Sequence, residues 1–599
     1  MKRLAAALEL ARTSRSRTAK EEALGAAFAA IGRDSGGAAL SAAARLAAGR
    51  TLAVGDGRPL GAGFSLLMET AAASSGFSAG IIAACARATG DLGEAVALLA
   101  ARAPGADERP GLSLDAVAGL FESLASTGNR LAKRRALDQA FALATPLETK
   151  YLAKALLGSL RVGAQAGVVE GAIARAFGAP MDKVRRALAL VADVGEVAVL
   201  ALRGQLDSAR FRPGRPVAFM LASPMETIAT PLAPSRYVME AKIDGVRAQV
   251  HKIGGVVAIF ARGLDRMTAA FPELVEAFQP GMGGVALDGE IVAVGANGRP
   301  RPFQALQGRL RRIAPTQEQI QDTPVAFFAY DILSDGDDEL LALPWTERRA
   351  RLEAFVRERG PRSAFVLNPY ADLPEPPPSS ASSTPTELLA SVDSAFSAAR
   401  AGGFEGLVLK RTDAPYEAGR RGQAWIKVKR AYATLDVVVT AAEEGHGRRA
   451  GVLSDYTFGV RKGDAIVNVG KAYSGLTDVE IEGLSARLEG LTVGRSGPLR
   501  LIRPAVVLEV AFDGVQRSTR HDSGFALRFP RIVRIREDKA PADVDAVEVV
   551  SGLFRGQVDA GHREQAPAAR TAPARRPKVR ATDRKQLNLF GDLEGTKPK

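Results

Sequence analysis

The run FRPGRPVAFMLASPMET, residues 211–227, separates two hydrophobic periods, and this change limits the fold more than any other feature of the chain. Before it, Ala, Leu, Arg and Glu recur at helical spacing with few β-branched runs, as in SLDAVAGLFESLASTGNRLAKRRALDQAFAL. Residues 1–208 are therefore expected to be all-α. Ser113, and Thr145 followed by Pro146, read as helix N-caps. The opening MKRLAAALELARTSR is interrupted by Glu9 and Arg12 and reads as an amphipathic helix rather than a leader.

After the switch come YVMEAKI, VRAQVHK, VVAIFA, GVALDGEIVAV, VAFFAYDIL, GLVLKR and AWIKVKR, each bounded by Gly, Asp or Pro. One helix, WTERRARLEAFVRERG, interrupts them. Residues 216–429 are thus expected to form an α+β domain with largely antiparallel sheets. Within it, ADLPEPPPSSASSTPTE (371–387) reads as a surface loop. A third set of short strands with Gly turns fills 430–556 and suggests a small β-barrel, for which the OB-fold is one candidate. Pro, Ala and Arg dominate residues 557–599, an expected disordered basic tail.

A length of 599 residues agrees with three or four domains, since single cores rarely grow beyond about 250–300 residues. The single cysteine, Cys85, excludes an intramolecular disulfide and fits a reducing cytoplasm; it reads as a packing residue. No uncharged apolar run is long enough to cross a bilayer, so no membrane role is expected. The net charge of +14 favours a polyanionic partner. Residues 563–585 concentrate part of it, with eight Lys or Arg against Glu564 and Asp583.

For nucleotide chemistry the chain has neither G-x-x-x-x-G-K-[ST] nor a strand-linked G-x-G-x-x-G. If the chain uses ATP it does so without a phosphate loop; a lysine can instead attack the α-phosphate directly, provided crowding by cations and partial desolvation keep enough of the amine neutral. In YVMEAKIDGVRAQVHK, a strand would turn Glu240, Lys242 and Asp244 to one face. Either a solvated strand edge or a reaction centre has that pattern. WIKVK places Lys427 and Lys429 on one face, with Trp425 expected to anchor the core behind them. Glu405 and Glu290 each adjoin a glycine. Asp288 reads as a turn residue, Asp244 and Asp331 as neighbours' orienters or turn caps, and His251 as a packing or solvent-facing residue.

Taken in order, K-x-D-G-x-R at 242–247, FARGLDRMT at 260–268, LDGEIVA at 287–293, FFAYDIL at 327–333, EGLVLK at 405–410, WIKVK at 425–429 and RFPRIVRIREDK at 528–539 resemble the motif series of the covalent nucleotidyltransferases. Within that superfamily the chain is similar to ATP-dependent DNA ligases of the type shared by archaea, eukaryotes and some bacteria. ETKYLAKALLGSLRVGAQAGVVEGAIARAFGA (148–179) resembles their helical DNA-binding domain, and VGKAYSGLTD (469–478) a segment of their OB-fold domain. The resemblance covers roughly residues 110–540. AFMLA at 218–222 departs from the family's usual K-P-M-L-A.

The resemblance implies that Lys242 attacks the α-phosphate of ATP and carries AMP, that Glu240 reads the adenine amino group, and that Tyr330 stacks on the ring unless it serves only as a core aromatic. It gives Arg247 and Arg262 to ribose or phosphate, Glu290 and Glu405 to ribose and Mg²⁺, and Lys427 and Lys429 to the α-phosphate. Arg531, Arg534 and Lys539 are expected to orient the pyrophosphate leaving group. The implied reaction seals nicked duplex DNA. In the tail, RKQLNLFGDLEG offers Gln586, Leu587, Leu589 and Phe590, which look like the Q-L-x-L-F peptide that docks on the bacterial sliding clamp. The chain is expected to be a cytoplasmic monomer. An RNA ligase, a capping-type nucleotidyltransferase and a noncatalytic clamp-tethered DNA-binding protein are the competing readings.

Overall fold

The computed structural model describes residues 1–562 apart from 164–165, 226–235, 279–282, 297, 302, 311–313, 360–363, 374–391, 402–403, 429–430, 446–448 and 450. Lys429, most of the Pro and Ser rich segment and the 586–590 peptide thus lie outside the described residues.

Helices occupy the described chain up to Leu202, beginning with Lys2–Thr13 and the long Arg17–Ala47, which kinks at Gly36. They share one core that includes Leu24, Phe28, Phe121, Phe141 and Tyr151. The expected caps are present: Ser113 accepts from Ala116 N, and Thr145 forms a capping box with Glu148 ahead of Pro146. The run from Ser113 to Leu143 divides into Leu114–Ser126 and Arg130–Leu143, because the Asn129 side chain accepts from Leu131 N and Ala132 N and starts a second helix. Among the described residues no single helix is long and apolar enough to span a membrane.

From residue 221 strands take over. They are β1 (Leu221–Pro224), β2 (Tyr237–Lys242), β3 (Val246–Ile253), β4 (Val256–Ala261), β5 (Val285–Ala293), β6 (Val325–Asp335), β7 (Asp338–Glu339), β8 (Phe365–Leu367), β9 (Tyr370–Asp372), β10 (Gly406–Arg411) and β11 (Arg421–Val428). One sheet has the order β1-β11-β10-β2-β9; the other runs β4-β3-β5-β6-β7 with β8 alongside β6. Pairing is antiparallel except for β1 on β11 and β8 on β6. The helix Trp345–Arg359 falls where expected, but among the described residues Pro272–Phe278, Gln304–Leu310, Gln317–Asp322 and Asp393–Ala401 add four more to the single helix foreseen.

The entry into this domain is fastened to β3. The Gln249 amide donates to Val217 O (2.8 Å) and accepts from Val217 N (3.0 Å), and His251 Nδ1 accepts from Gly214 N (3.1 Å). His251 is buried edge-on between Phe211 and Phe260, and burial pushes it down to about 3, so it is a neutral packing residue.

Beyond residue 430 the chain is β-rich: β12 (Ala433–Glu444), β13 (Leu453–Lys462), β14 (Ala465–Ala472), β15 (Thr492–Ser496), β16 (Leu499–Ile502), β17 (Val507–Phe512), β18 (Gly514–Arg517), β19 (Phe525–Arg528) and β20 (Arg531–Ile535). β12 is the hub, pairing with β13, β16 and β17. The helix Asp478–Gly490, started by a Thr477–Glu480 capping box, packs Ile481, Leu484 and Leu488 into the same core.

Candidate active site

The two sheets of residues 221–428 each have a core face and a face turned to the other. In the first, Tyr237, Met239, Leu407, Leu409, Ile426 and Val428 fill the outer core. The period of two then sends Glu240 and Lys242 of β2, Lys410 of β10, and Trp425 and Lys427 of β11 to the opposite face. Trp425 therefore lies beside Lys427 rather than behind it, and its ring meets Tyr330 and Tyr416 edge-on. In the second sheet, Arg247 pairs in register with Glu290, and Gln249 with Asp288.

β2 ends at Lys242, so the single-strand face expected for Glu240, Lys242 and Asp244 is corrected: Asp244 belongs to the connection into β3. There it accepts from Arg528 at 2.9 Å and 3.4 Å, a contact from the β-rich part. Lys242 Nζ donates to Glu405 Oε2, and Glu405 N donates to Lys242 O at 2.8 Å, which binds the last residue of β2 to the residue before β10. Gly245 is needed for closeness rather than for a turn: a Cβ there would lie 2.3 Å from Ile291 O and 2.9 Å from Glu290 Cγ.

Glu240 is buried at 2% exposure. Its Oε2 faces Lys410 Nζ at 2.9 Å and accepts from Asn368 Nδ2 at 3.0 Å, while Oε1 is buried without a hydrogen-bond partner. Burial pushes Glu240 up, against the pull of Lys410 and Arg349, and pushes Lys410 down, against that of Glu240. Half-buried Glu290 is likewise pushed up to about 8 by burial, although Lys242 and Arg247 pull it the other way.

Asp288 is a fully buried mid-strand residue and not a turn residue; it accepts from Arg247 (3.2 Å and 2.7 Å) and from Tyr416 Oη (2.7 Å). Arg247 also donates to Met220 O and lies over the rings of Phe219, Tyr330 and Trp425. The AFMLA segment thus contributes Phe219 and Met220 to the wall. Asp331 orients Arg348 through two bonds of 2.8 Å and 3.0 Å. Among the described residues, no three His, Cys, Asp or Glu side chains converge as a metal site.

The structure brings Glu240, Lys242, Arg247, Glu290, Tyr330, Glu405 and Lys427 to the space between the sheets. Arg262 is exposed in the turn after β4. Arg531, Arg534 and Lys539 are held within the β-rich part by Asp513 (3.3 Å), Glu509 (2.7 Å) and Asp436 (2.5 Å). Lys410, Asn368 and Arg349 were not singled out from the sequence. The one available signal was a lysine at an inward position of GLVLKR, where alternation calls for a side chain between the sheets.

Fold and site together define an α+β nucleotidyltransferase preceded by a helical domain and followed by a β-rich one. Three family profiles match in that order: DNA ligase N terminus over 1–174, ATP dependent DNA ligase domain over 219–429 and ATP dependent DNA ligase C terminal region over 449–539. A probable DNA ligase of Koribacter versatilis is 41% identical, with 85% of this chain and 89% of that protein covered. DNA ligase 2 of Methanosarcina acetivorans is 35% identical over 84% and 90%. The solved structure described as Pmar-Lig_Pre has the same fold at a TM-score of 0.53 and 16% identity, covering 89% of this chain and 99% of that one. The chain belongs to the ATP-dependent DNA ligases, enzymes that join DNA at the expense of ATP, and the family implies nicked DNA as substrate.

Proposed function

We propose that Lys242 is the nucleophile, and that the space between the sheets is where it takes AMP from ATP. The observation that carries this is the placing of Lys242 at the end of β2, against Glu405 and two residues from the buried, half-satisfied Glu240. The neutral Lys242 Nζ attacks the α-phosphorus; a nitrogen–phosphorus bond forms, the bond to the bridging oxygen breaks, pyrophosphate leaves, and the proton shed by Nζ passes to solvent. The adenine amino group would supply the donor that Glu240 Oε1 lacks. Tyr330 and Trp425 wall the base, and Arg247 and Arg262 serve ribose or phosphate oxygens. Lys427 and Lys429 offset charge on the α-phosphate.

Glu290 and Glu405 fit Mg²⁺, which takes one or two carboxylates together with substrate phosphates; bound there it would neutralise phosphate charge. The β-rich part, read as an OB-fold, supplies Arg531, Arg534 and Lys539 to the leaving group, and then moves aside for the nick. AMP passes to the 5′-phosphate and is displaced by the 3′-hydroxyl. Residues 586–590 would tether this cytoplasmic, monomeric enzyme to the sliding clamp.

The test is a chase. Protein with Mg²⁺ and α-labelled ATP should retain label, and nicked duplex should release it into sealed product. Lys242→Ala should form no adduct while still binding the nick, and a variant that still traps AMP would sink the assignment. Deleting 586–590 should leave sealing of short duplexes unchanged and abolish clamp association; clamp binding that persists would refute the tail reading.

A further inference from the structure

We propose that Lys410, with Asn368, is the positioning residue that sets nucleobase selectivity, by holding Glu240 so that only Oε1 faces the base. The proposal rests on the reading of Glu240 as the adenine-contacting acid and adds how its orientation is fixed. Lys410 Nζ lies 2.9 Å from Glu240 Oε2 and also donates to Tyr330 O at 3.0 Å. It stands 4.6 Å from the Tyr330 ring centre and 4.5 Å from that of Trp425. One ammonium therefore joins the acid that would read the base edge to the rings that would wall the base. Asn368 adds a second anchor: Nδ2 donates to Oε2 and to Ala241 O (3.3 Å), while its backbone N donates to Ala329 O (2.9 Å). It is thereby bonded to both sheets.

A purely structural ion pair would satisfy both carboxylate oxygens. Here Oε1 is left without a hydrogen bond; Arg349 Nη1 stands 3.8 Å from it, and Arg349 itself is engaged by Asn368 O and Glu353. A buried acceptor with no donor is uncommon and calls for a ligand. With Oε2 committed to Lys410 and Asn368, the carboxylate cannot rotate, or offer a protonated oxygen to a base, without losing both bonds. It accepts an amino hydrogen and faces a keto oxygen with like charge. A site built around one such bond rejects an analogue that lacks the donor far better than an apolar pocket rejects a change of size.

The experiment measures lysyl-adduct formation by the full-length enzyme with ATP, with GTP, and with an ATP analogue carrying hydrogen in place of the 6-amino group. Lys410→Met should lower the preference for ATP over both by about tenfold or more, chiefly through a higher KM for ATP, with the saturated rate held within about threefold. The amino-less analogue should be used almost as well as by the unsubstituted enzyme. In a Glu240→Gln background, Lys410→Met should add little, since both act through one bond. Should Lys410→Met fail to fold, Asn368→Ala is expected to move selectivity in the same direction.

Unchanged preference in both variants would overturn the proposal. So would equal losses with all three nucleotides, which mark a structural role. An unsubstituted enzyme that forms its adduct on Lys242 but does not separate ATP from the amino-less analogue would overturn the assigned role of Glu240 and this inference with it.

Discussion

Glu290 feels both Lys242 and Arg247, yet burial outweighs them and holds its carboxyl up to about 8. A carboxyl raised in the folded state keeps a proton that the unfolded chain has already released. Its contribution to stability is thus fully present below about pH 4.5 and is lost as pH rises towards 8. Glu290→Gln should therefore melt above the unsubstituted enzyme at pH 8–9 and nearly with it at pH 4.5, as read from melting temperature against pH. A difference that is constant with pH would show that Glu290 does not titrate in this range. What could be read of the site from the sequence stops at this scale. Lys242, Glu290 and Glu405 stand out because each occupies a short, ordered motif. Lys410, Asn368 and Arg349 act through contacts between segments up to 170 residues apart, as between Glu240 and Lys410, and no spacing encodes such a meeting. Asp288 was misread for the same reason: a carboxylate before glycine suggests a turn until Arg247 and Tyr416 are seen to close on it.

Apolar runs bounded by Gly, Asp or Pro were legible in advance, and VAFFAYDIL duly lies within β6 (Val325–Asp335). β1, β8 and β9 are three or four residues long, too short for a period to register, and the parallel pairings of β1 and β8 depend on segments remote in sequence. The connection from β2 to β3 shows how an element's end controls chemistry. Because Gly245 passes against β5, Gly245→Ala should push the loop away from Ile291 O and carry Lys242 with it. Overpacking of this kind costs about 1–3 kcal/mol. The variant should lose adduct formation by more than its fall in thermal stability explains; normal adduct formation would mean that β2 alone fixes the nucleophile.

Helical, α+β and β-rich parts pack as one compact unit from Met1 to Gly561, and ion pairs reach loops of the catalytic part from both sides, Arg50 to Asp265 (3.2 Å) and Arg528 to Asp244 (2.9 Å) among them. If the β-rich part must seat for the first step and leave for the later ones, Arg528→Ala should slow adduct formation by roughly fivefold, the equivalent of about 1 kcal/mol for a partly shielded pair. Sealing of a nick that already carries 5′-AMP should change by less than about twofold, and equal losses in both assays would count against separate arrangements. Binding to the nick should weaken steeply as salt rises, in keeping with the net charge of +14. The stitch between Val217 and Gln249 bears on how far such an enzyme is modular. By chain order residues 211–217 come before the first strand of the catalytic part, but by bonding they are already fastened to the side chains of β3. A chimaera of two relatives joined at residue 219, where the middle family profile begins, would replace Val217 and strip the partners of a fully buried amide if the new segment sat differently. A seam ahead of Phe211 keeps that amide and His251 with the peptide that bonds to them.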